Sequence, residues 1–468
     1  PAEVIDEVLD LFIELGADDD QLEFPVVYAS GRDGYAGLAP DKLEGDLKPL
    51  FETILKEVPP PKGDPDGKLQ ILFSNIDYDE YVGRIGVGRV ERGMVQAGQM
   101  VAIARQDGTS YNVRLSKLYQ FEGLKRVEVP SAQLGDIIAV SGIPEINIGE
   151  TACDPACVEA LPFVKIDEPT ISMNFMVNNS PFAGREGKFV TSRNLRERLF
   201  KEVETNVSMR VEETDSPDTF KVSGRGELHL SILIETMRRQ GYEFQVSRPR
   251  VIYKYENGVR LEPMELLMIE VPEHYVGAVM EKLGSRKAEL LNMGTRDSGV
   301  THLEFKIPAR GLMSYRSEFL TDTNGNGIMN HVFDSFEPYK GDLETRQSGS
   351  IVAFETGETT SYGLFNTQDR GRLFVGPGVE VYEGMIVGEN PKNEDIVCNV
   401  CKKKQVSNMR AAGSDEALKL TPHTVLSLEQ SLEFIKDDEL VEVTPESIRL
   451  RKMILGREQR LKSQSKKK

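Results

Sequence analysis

The sequence has 468 residues, of which 39% are hydrophobic and 28% are charged, and its formal net charge is −18. This length exceeds what one hydrophobic core supports, so we expect three to five domains. No apolar run approaches about 18 residues, which excludes a membrane-spanning helix, and the net acidity argues against general coating of nucleic acid. With four cysteines and no signal peptide, the sequence indicates a reducing, cytoplasmic setting.

Residues 1–62 are predicted to be the end of an α/β domain. Apolar residues at helical spacing precede Gly16, "FPVVYASG" (24–31) indicates a short buried strand, and "DLKPLFETILKEVP" (46–59) indicates an amphipathic helix. "PPPKGDPDGK" (59–68) indicates a linker, since prolines and glycines interrupt regular structure. Because the chain starts at Pro1 without a methionine, we expect a fragment of a longer protein.

Residues 63–165 are predicted to form a small antiparallel β-barrel. Short alternating segments such as "LQILFSNIDYD" (69–79) and "GDIIAVSGI" (135–143) are separated by glycine turns. The pattern then changes into a diverged repeat, one copy covering residues 166–247 and the next residues 248–341. Each copy reads strand, helix, strand, strand, helix, strand, which predicts two ferredoxin-like βαββαβ units.

The last module, residues 342–468, is predicted to be rich in β-structure. "SLEQSLEFIKDDE" (427–439) indicates a helix, and "VEVTPESIRLRK" (441–452) indicates one strand running into a basic tail. A long basic loop lies between about 400 and 420, and such loops are often functional. Its side chains suit phosphate, sugar or base contacts, with a solvated surface loop as the alternative. The candidates are Lys402, Lys403, Lys404, Ser407, Asn408, Met409 and Arg410.

Two other motifs have competing interpretations. One motif is a pair of cysteines, Cys398 and Cys401, which could act alone or together with Cys153 and Cys157. As an alternative function, these cysteines would form a metal or redox site in a cytosolic interaction protein. No histidine neighbours either pair, so incidental small apolar residues are the simpler interpretation. His229 follows a Gly-x-Gly turn, but no orienting carboxylate or nucleophile is indicated beside it, so a packed histidine is expected.

Long segments carry a resemblance to a known family. "GRIGVGRVERGMVQAGQMV" (83–101) and "SGRGELHLSILIETMRRQGYEFQVSRPRVIYK" (223–254) are similar to the barrel and third domains of translational GTPases related to elongation factor G. "TDTNGNGIMNHVFDSFEPY" (321–339), "YGLFNTQDRGRLFVGPGVEVYEGMIVGE" (362–389) and "KKKQVSNMRAAGSDEALKL" (402–420) are similar to the TypA/BipA branch. The resemblance to TypA/BipA covers essentially the whole chain. A back-translocation-type elongation GTPase shares the domain order but differs in its C-terminal module.

The resemblance implies a multidomain α+β fold. Its parts would be the end of an α/β G domain, a translation-factor β-barrel like domain II, two ferredoxin-like domains like domains III and V, and a family-specific C-terminal domain whose basic loop contacts RNA. It also implies a cytoplasmic, monomeric translational GTPase acting in large-subunit assembly and in cold and stress adaptation. The implied partners are the 70S ribosome and its large subunit, 23S rRNA and the acceptor end of A-site tRNA, with no membrane partner.

The nucleotide site is implied only in part. The intact family protein would hydrolyse GTP, with GTP or GDP and Mg as cofactors, but this sequence has no phosphate loop and no Asn-Lys-x-Asp. Catalytic residues are therefore not expected in this chain. Ser30, Gly31 and Arg32 match the family's last guanine-contacting turn, with Ser-Gly where Ser-Ala is usual. The cysteine pair is not part of the family's loop pattern.

Overall fold

A computed structural model describes residues 2–79, 81–105, 107–162, 168–295, 299–343, 348–403 and 419–467. The chain forms two compact units, Pro1–Phe163 and Val164–Lys468. In the described ranges, no helix combines the length and the apolar character needed to cross a bilayer. The division into five modules at the predicted boundaries stays a prediction.

The first unit opens with helices around a small antiparallel sheet of three strands in the order β1-β2-β3. The predicted buried strand is shorter than expected, and its residues are half-buried or exposed, because β1 pairs on one side only and α1 buries none of its residues. The apolar face of α3 is also largely exposed. The elements are α1 (Ala2–Glu14), α2 (Asp19–Leu22), β1 (Tyr28–Ser30), β2 (Tyr35–Ala39), β3 (Lys42–Glu44) and α3 (Lys48–Glu57).

Ten strands then form the predicted antiparallel barrel module. They are β4 (Gln70–Asp79), β5 (Gly83–Arg92), β6 (Met94–Gln96), β7 (Met100–Ala104), β8 (Ser110–Arg114), β9 (Leu118–Glu122), β10 (Lys125–Val129), β11 (Ser131–Gln133), β12 (Ile137–Ser141) and β13 (Thr151–Cys153). Eight of them form one sheet in the order β10-β9-β12-β5-β4-β13-β7-β8, and β11 pairs with β6. Alternating residues such as Ile71, Phe73 and Ile103 fill a fully buried core.

The second unit begins with the first predicted βαββαβ unit. Its elements are β14 (Ile171–Val177), α4 (Ser192–Thr205), β15 (Arg210–Glu213), β16 (Thr219–Gly224), α5 (Glu227–Arg239) and β17 (Phe244–Ser247), followed by the short strand β18 (Arg250–Val251). The strands lie in the order β15-β16-β14-β17. The Thr191 hydroxyl caps α4 by accepting a hydrogen bond from the backbone N–H of Asn194.

The second βαββαβ unit also forms as predicted, with an added strand at its start. Its elements are β19 (Lys254–Glu256), β20 (Val259–Pro272), a 3-10 turn (Glu273–Tyr275), α6 (Val276–Ser285), β21 (Glu289–Thr295), β22 (Val300–Pro308), α7 (Ala309–Leu312), α8 (Tyr315–Asp322) and β23 (Ile328–Pro338). β20 pairs with β19, β22 and β23, so it is the central strand.

The C-terminal module is β-rich, with two differences from the sequence prediction. Residues 441–452, predicted as one strand, belong to an antiparallel hairpin of β30 and β31, because Pro445 and Ser447 lie in a turn closed at Thr444. The basic tail is a helix. The elements are β24 (Gly349–Ala353), β25 (Gly357–Glu358), α9 (Ser361–Gln368), β26 (Arg372–Leu373), β27 (Glu380–Val381), β28 (Met385–Asn390), β29 (Ile396–Cys398), α10 (Leu428–Phe434), β30 (Glu439–Val443), β31 (Ile448–Lys452) and α11 (Arg457–Lys467).

One continuous sheet joins the first βαββαβ unit to the C-terminal module. Its strand order is β15-β16-β14-β17-β30-β31-β28-β24-β29. The joint is the antiparallel pair of β17 and β30, in which Phe244 faces Val443 and Val246 faces Val441. All four of these side chains belong to one buried cluster. The two modules therefore share a sheet and a core.

Buried charges reinforce this joint. The fully buried Glu442 carboxylate accepts hydrogen bonds from Asn178 (3.0 Å), Ser180 (2.8 Å) and Tyr382 (2.6 Å), and it pairs with Arg449 (3.2 Å). Asn178 and Ser180 follow β14, whereas the other three residues belong to the C-terminal module. Because a buried carboxylate is stable only when its oxygens are satisfied, these bonds fix the two modules against each other.

Candidate functional site

The basic segment begins where β29 ends, and only its first residues are described. Lys402 and Lys403 are exposed and follow the buried Val400 and the half-buried Cys401. Lys404, Ser407, Asn408, Met409 and Arg410, the other predicted RNA-contacting residues, lie outside the described residues. The structure therefore places two of the seven predicted residues on the surface beside each other.

Helix α9 anchors this segment through its N-terminal cap. The Thr360 hydroxyl donates to the carbonyl of Lys402 (2.6 Å) and accepts from the backbone N–H of Gly363 (3.0 Å). The backbone N–H of Thr360 donates to the carbonyl of Val400 (3.0 Å). A Cβ on Gly363 would lie 2.3 Å from that carbonyl oxygen, so the approach requires glycine. The segment thus leaves the sheet in a fixed position.

Lys402 and Lys403 differ from paired lysines elsewhere in the described part of the chain. Among the described residues, neither Lys402 nor Lys403 forms an ion pair, whereas Lys117 and Lys221 pair with glutamates at 2.7 and 2.9 Å. An unpaired ammonium group on a flexible stem is the form in which lysine binds phosphate. The segment is therefore suited to an anionic partner despite the acidity of the whole chain.

The cysteine pair lies at the end of β29, and both of its side chains are half-buried. All four cysteines are free, and burial raises the pKa of Cys398 and of Cys401 above the usual thiol range. A raised pKa disfavours the thiolate, which is the form that takes part in disulfide exchange. Within the described ranges, no group of three or more His, Cys, Asp or Glu residues could hold a metal ion.

The Ser30 turn connects β1 to β2. The Ser30 hydroxyl donates to the Asp33 carboxylate (2.8 Å), and the Ser30 carbonyl accepts from the backbone N–H of Gly34 (2.9 Å). In the described part of the chain, the backbone N–H groups of Gly31 and Arg32 donate to no protein acceptor. Both residues are exposed, so these two donors are available to a carbonyl oxygen such as that of a base.

His229 is a packed histidine, in agreement with the simpler interpretation of its motif. Its Nε2 lies 2.8 Å from Asn206 Nδ2, and its Nδ1 accepts a weak hydrogen bond from the backbone N–H of Arg225 (3.4 Å). Burial and the charge of Arg225 lower the pKa of His229. Both ring nitrogens are thus occupied by structural partners.

Sequence reasoning missed two arginines that lie near the basic segment. Arg370 follows α9 and Arg457 begins α11, and both line the same cleft as Lys402. They are distant from Lys402 in the sequence, so no local motif joins the three. The sequence does show an excess of Lys and Arg after residue 446, which includes Arg457 but not Arg370.

Comparison with known domain families gives three matches. The family described as TypA/BipA C-terminal domain matches residues 348–457, elongation factor G C-terminus matches residues 259–347, and elongation factor Tu domain 2 matches residues 83–153. A crystal structure from Thermus thermophilus is similar to 63% of this chain and 59% of its own chain, with 18% identity and a TM-score of 0.42.

Curated relatives extend over nearly the whole chain. The chain is 53% identical to the large ribosomal subunit assembly factor BipA of Bacillus subtilis, over 100% of this chain and 77% of that protein. It is 53% identical to the protein of the same name from Synechocystis, over 97% of this chain and 76% of that protein. It is 48% identical to the Escherichia coli K12 protein of that name, over 97% of this chain and 75% of that protein.

The barrel, the ferredoxin-like units and these matches define a protein of the translation-factor class. Within that class the chain belongs to the TypA/BipA family. The C-terminal match distinguishes it from the back-translocation-type elongation GTPases, which share the order of the other domains.

Proposed function

We propose that this chain binds the large ribosomal subunit and acts in its assembly, as the names of its relatives state for those proteins. Its family membership across the whole chain is the observation that carries this proposal. We propose that the residues at 402–404, with Ser407, Asn408, Met409 and Arg410, contact 23S rRNA and the acceptor end of A-site tRNA.

The lack of an acidic partner for Lys402 and Lys403 among the described residues supports an RNA contact. Phosphates dominate the affinity of proteins for nucleic acid, and each neutralised phosphate releases counterions. The body of the chain is acidic and would repel RNA elsewhere, so binding would be confined to a small basic tip. Such a factor would be cytoplasmic and monomeric, and it would meet the 70S ribosome or its large subunit.

The nucleotide chemistry of the family enters this chain only at the Ser30 turn. We propose that the free N–H groups of Gly31 and Arg32 face the guanine base oxygen in the intact protein, which would hydrolyse GTP with Mg. Because the 468 residues contain no phosphate loop, we expect this chain to hydrolyse no GTP. A phosphate-release assay on the purified chain, with and without ribosomes, measures this directly.

Co-sedimentation with purified large subunits at two salt concentrations tests the proposed contact. We expect salt-sensitive binding that weakens when the three lysines at 402–404 are replaced by alanine. Each lost phosphate contact lowers the magnitude of the slope of log K against log salt by about 0.7–0.9, so the slope falls in magnitude by about 2.1–2.7 if all three lysines contact phosphate. A control variant removes the exposed Lys188, Lys287 and Lys392 instead.

The outcomes separate the contact from the general charge of the protein. Equal weakening by the control variant and the 402–404 variant would mean that net charge, not this segment, governs binding. An unaltered salt slope in the 402–404 variant would contradict a phosphate contact. Failure of the unaltered chain to co-sediment at low salt would contradict the proposed function.

A further inference from the structure

A cleft of about 640 Å³ lies beside the basic segment, and the proposed function does not use it. Helix α9 forms one wall, strand β29 and the residues after it form the floor, and helix α11 forms the other wall. Its lining includes Tyr362, Asn366, Arg370, Asn399, Lys402 and Arg457.

Cations outnumber acidic residues in the described lining of the cleft, which has Arg370, Lys402, Arg457 and Arg460 against Asp395. Within the described ranges, Arg370, Lys402 and Arg457 have no acidic partner for their side chains. Asp395, the one acidic residue in the lining, is already paired with Lys452. In a chain with 75 acidic and 57 basic residues, three unpaired cations around one cleft indicate an anionic occupant.

The arginines narrow the identity of the anion. A guanidinium group presents a planar fork of donors that matches phosphate geometry and binds it in a bidentate manner. A fourth cation, Arg460, donates from Nη1 to the carbonyls of Ile454 (3.0 Å) and Leu455, while its buried Nη2 has no partner in the described part of the chain. These groups favour a phosphorylated ligand.

The other lining groups suit a nucleobase. Tyr362 is half-buried and lines the cleft, and within the described residues no aromatic ring or cation stacks on its ring, so neither competes with a base for that ring. The side-chain amides of Asn366 and Asn399 lie in the same lining. Asn366 Nδ2 donates to the Tyr362 carbonyl (2.8 Å) and Asn399 Oδ1 accepts from the backbone N–H of Cys401 (3.1 Å), so the amide groups left for a base edge are Asn366 Oδ1 and Asn399 Nδ2. The volume falls within the range of about 300–1,000 Å³ for a small-molecule site, so the cleft admits a nucleotide but no duplex.

We propose that this cleft binds a single unpaired nucleotide of RNA, with its phosphate on the free guanidinium groups and its base against Tyr362. The inference rests on the proposed RNA-binding function and names a second, separate contact for it. Sequence-tolerant recognition of unpaired RNA commonly combines cationic groups with an aromatic stacking surface. The basic segment and the cleft would therefore hold neighbouring parts of one RNA strand.

Fluorescence anisotropy with the full chain tests the proposal. The probes are a labelled single-stranded RNA of about five nucleotides and a blunt duplex of about twelve base pairs. We expect the single strand to bind more tightly than the duplex. Tyr362→Leu should weaken it about 5- to 150-fold, the range for one stacked base, whereas Tyr362→Phe, which keeps the ring, should stay within about threefold.

The charge of the cleft is tested with a matched pair of variants. Arg370→Ala and Arg457→Ala should each weaken binding of the single strand about tenfold or more. Arg210→Ala removes an exposed arginine from β15, at the opposite end of the same sheet, and should change the affinity less than about twofold. Thermal unfolding of each variant establishes that the fold is retained.

Cys398 gives an independent readout, because its thiol lines the cleft. Saturating single-stranded RNA should slow alkylation of Cys398 by iodoacetamide. The rate at Cys157, which is half-buried in the first unit, should not change. Mass spectrometry of both residues in one sample measures the two rates together.

Three results would overturn the proposal: equal affinity for the single strand and the duplex, unchanged binding in the Tyr362→Leu and arginine variants, or displacement of the RNA by an equimolar acidic peptide. If these occur while the 402–404 variant still loses ribosome binding, the inference about the cleft fails and the proposed function stands. If the unaltered chain binds no ribosomal subunit, the proposed function fails.

Discussion

Replacing Lys452 by methionine should destabilise the C-terminal module strongly. The Lys452 ammonium is 1% exposed and contacts Asp395, Asp438 (3.0 Å) and Glu439 (2.8 Å). Although burial lowers its pKa, the carboxylates around it raise that pKa above the usual range, so Lys452 is charged at neutral pH. Methionine keeps the volume of the side chain but leaves these carboxylates without their cation.

The magnitude follows from the burial of the partners. Glu439 is fully buried, and it also accepts hydrogen bonds from the hydroxyl of Ser350 (2.5 Å) and the backbone N–H of Lys436 (2.8 Å). Removing one partner of a buried ion pair costs about 3–5 kcal/mol. By contrast, Lys221→Met breaks the exposed cross-strand pair with Glu212 and should cost less than about 1 kcal/mol.

Urea unfolding followed by circular dichroism measures the difference, since the chain has no tryptophan for fluorescence. Hydrogen exchange on β30 and β31 shows where stability is lost. Adding Glu439→Gln to Lys452→Met removes the buried carboxylate charge that Lys452 no longer neutralises. The double variant should therefore regain part of the unfolding free energy that Lys452→Met loses. The reasoning is refuted if Lys452→Met costs no more than Lys221→Met, or if Glu439→Gln makes the variant still less stable.

Three further changes are predicted. Burial raises the pKa of Glu227 to about 7. The folded state therefore favours the protonated acid, and the protein loses stability as pH rises from about 4.5 through 7. The full pKa shift corresponds to about 3 kcal/mol of unfolding free energy, and the partial exposure of Glu227 reduces this contribution. Glu227→Gln should therefore raise the urea midpoint at pH 8, by about 1–2 kcal/mol in unfolding free energy, and leave it nearly unchanged at pH 5; a difference that does not grow with pH would contradict this. Gly363→Ala should cost about 1–3 kcal/mol, because its Cβ would meet a carbonyl at 2.3 Å, whereas Gly277→Ala in α6, with nothing within 4 Å, should leave the thermal midpoint unchanged or raise it. Replacing Cys398 and Cys401 together by serine should leave ribosome co-sedimentation unchanged, and metal analysis of the unaltered chain should find well below one equivalent of zinc; stoichiometric zinc would revive the metal alternative.

Local patterns predicted most of the fold. The alternation in residues 69–143 predicted the barrel strands, and the order of periodic segments predicted both βαββαβ units, because side-chain period and turn residues are encoded over a few positions. The joint between β17 and β30 was not predicted. Pairing between strands so far apart in the sequence depends on the packing of the whole chain, which no short window contains.

The candidate site shows the same limit. The lysines at 402–404 are adjacent in the sequence, so they were found there. Arg370 and Arg457 meet Lys402 only in the folded chain, so their cleft was not predicted. Glu442 and Lys452 also look like surface charges in the sequence, because alternation along a β-strand gives no sign of ion pairs that allow charged residues to be buried.

The pairing of β17 with β30 sets an order of events during synthesis. Residues 168–247 leave the ribosome well before residues 439–452, by about 10–40 seconds at 5–20 residues per second. Throughout that interval β17 has an open edge, and an open edge can pair with the wrong strand or with another chain. The sheet that contains the first βαββαβ unit is thus complete only after residue 452 has been made. A chain cut after residue 341 should therefore aggregate and not fold as a smaller protein.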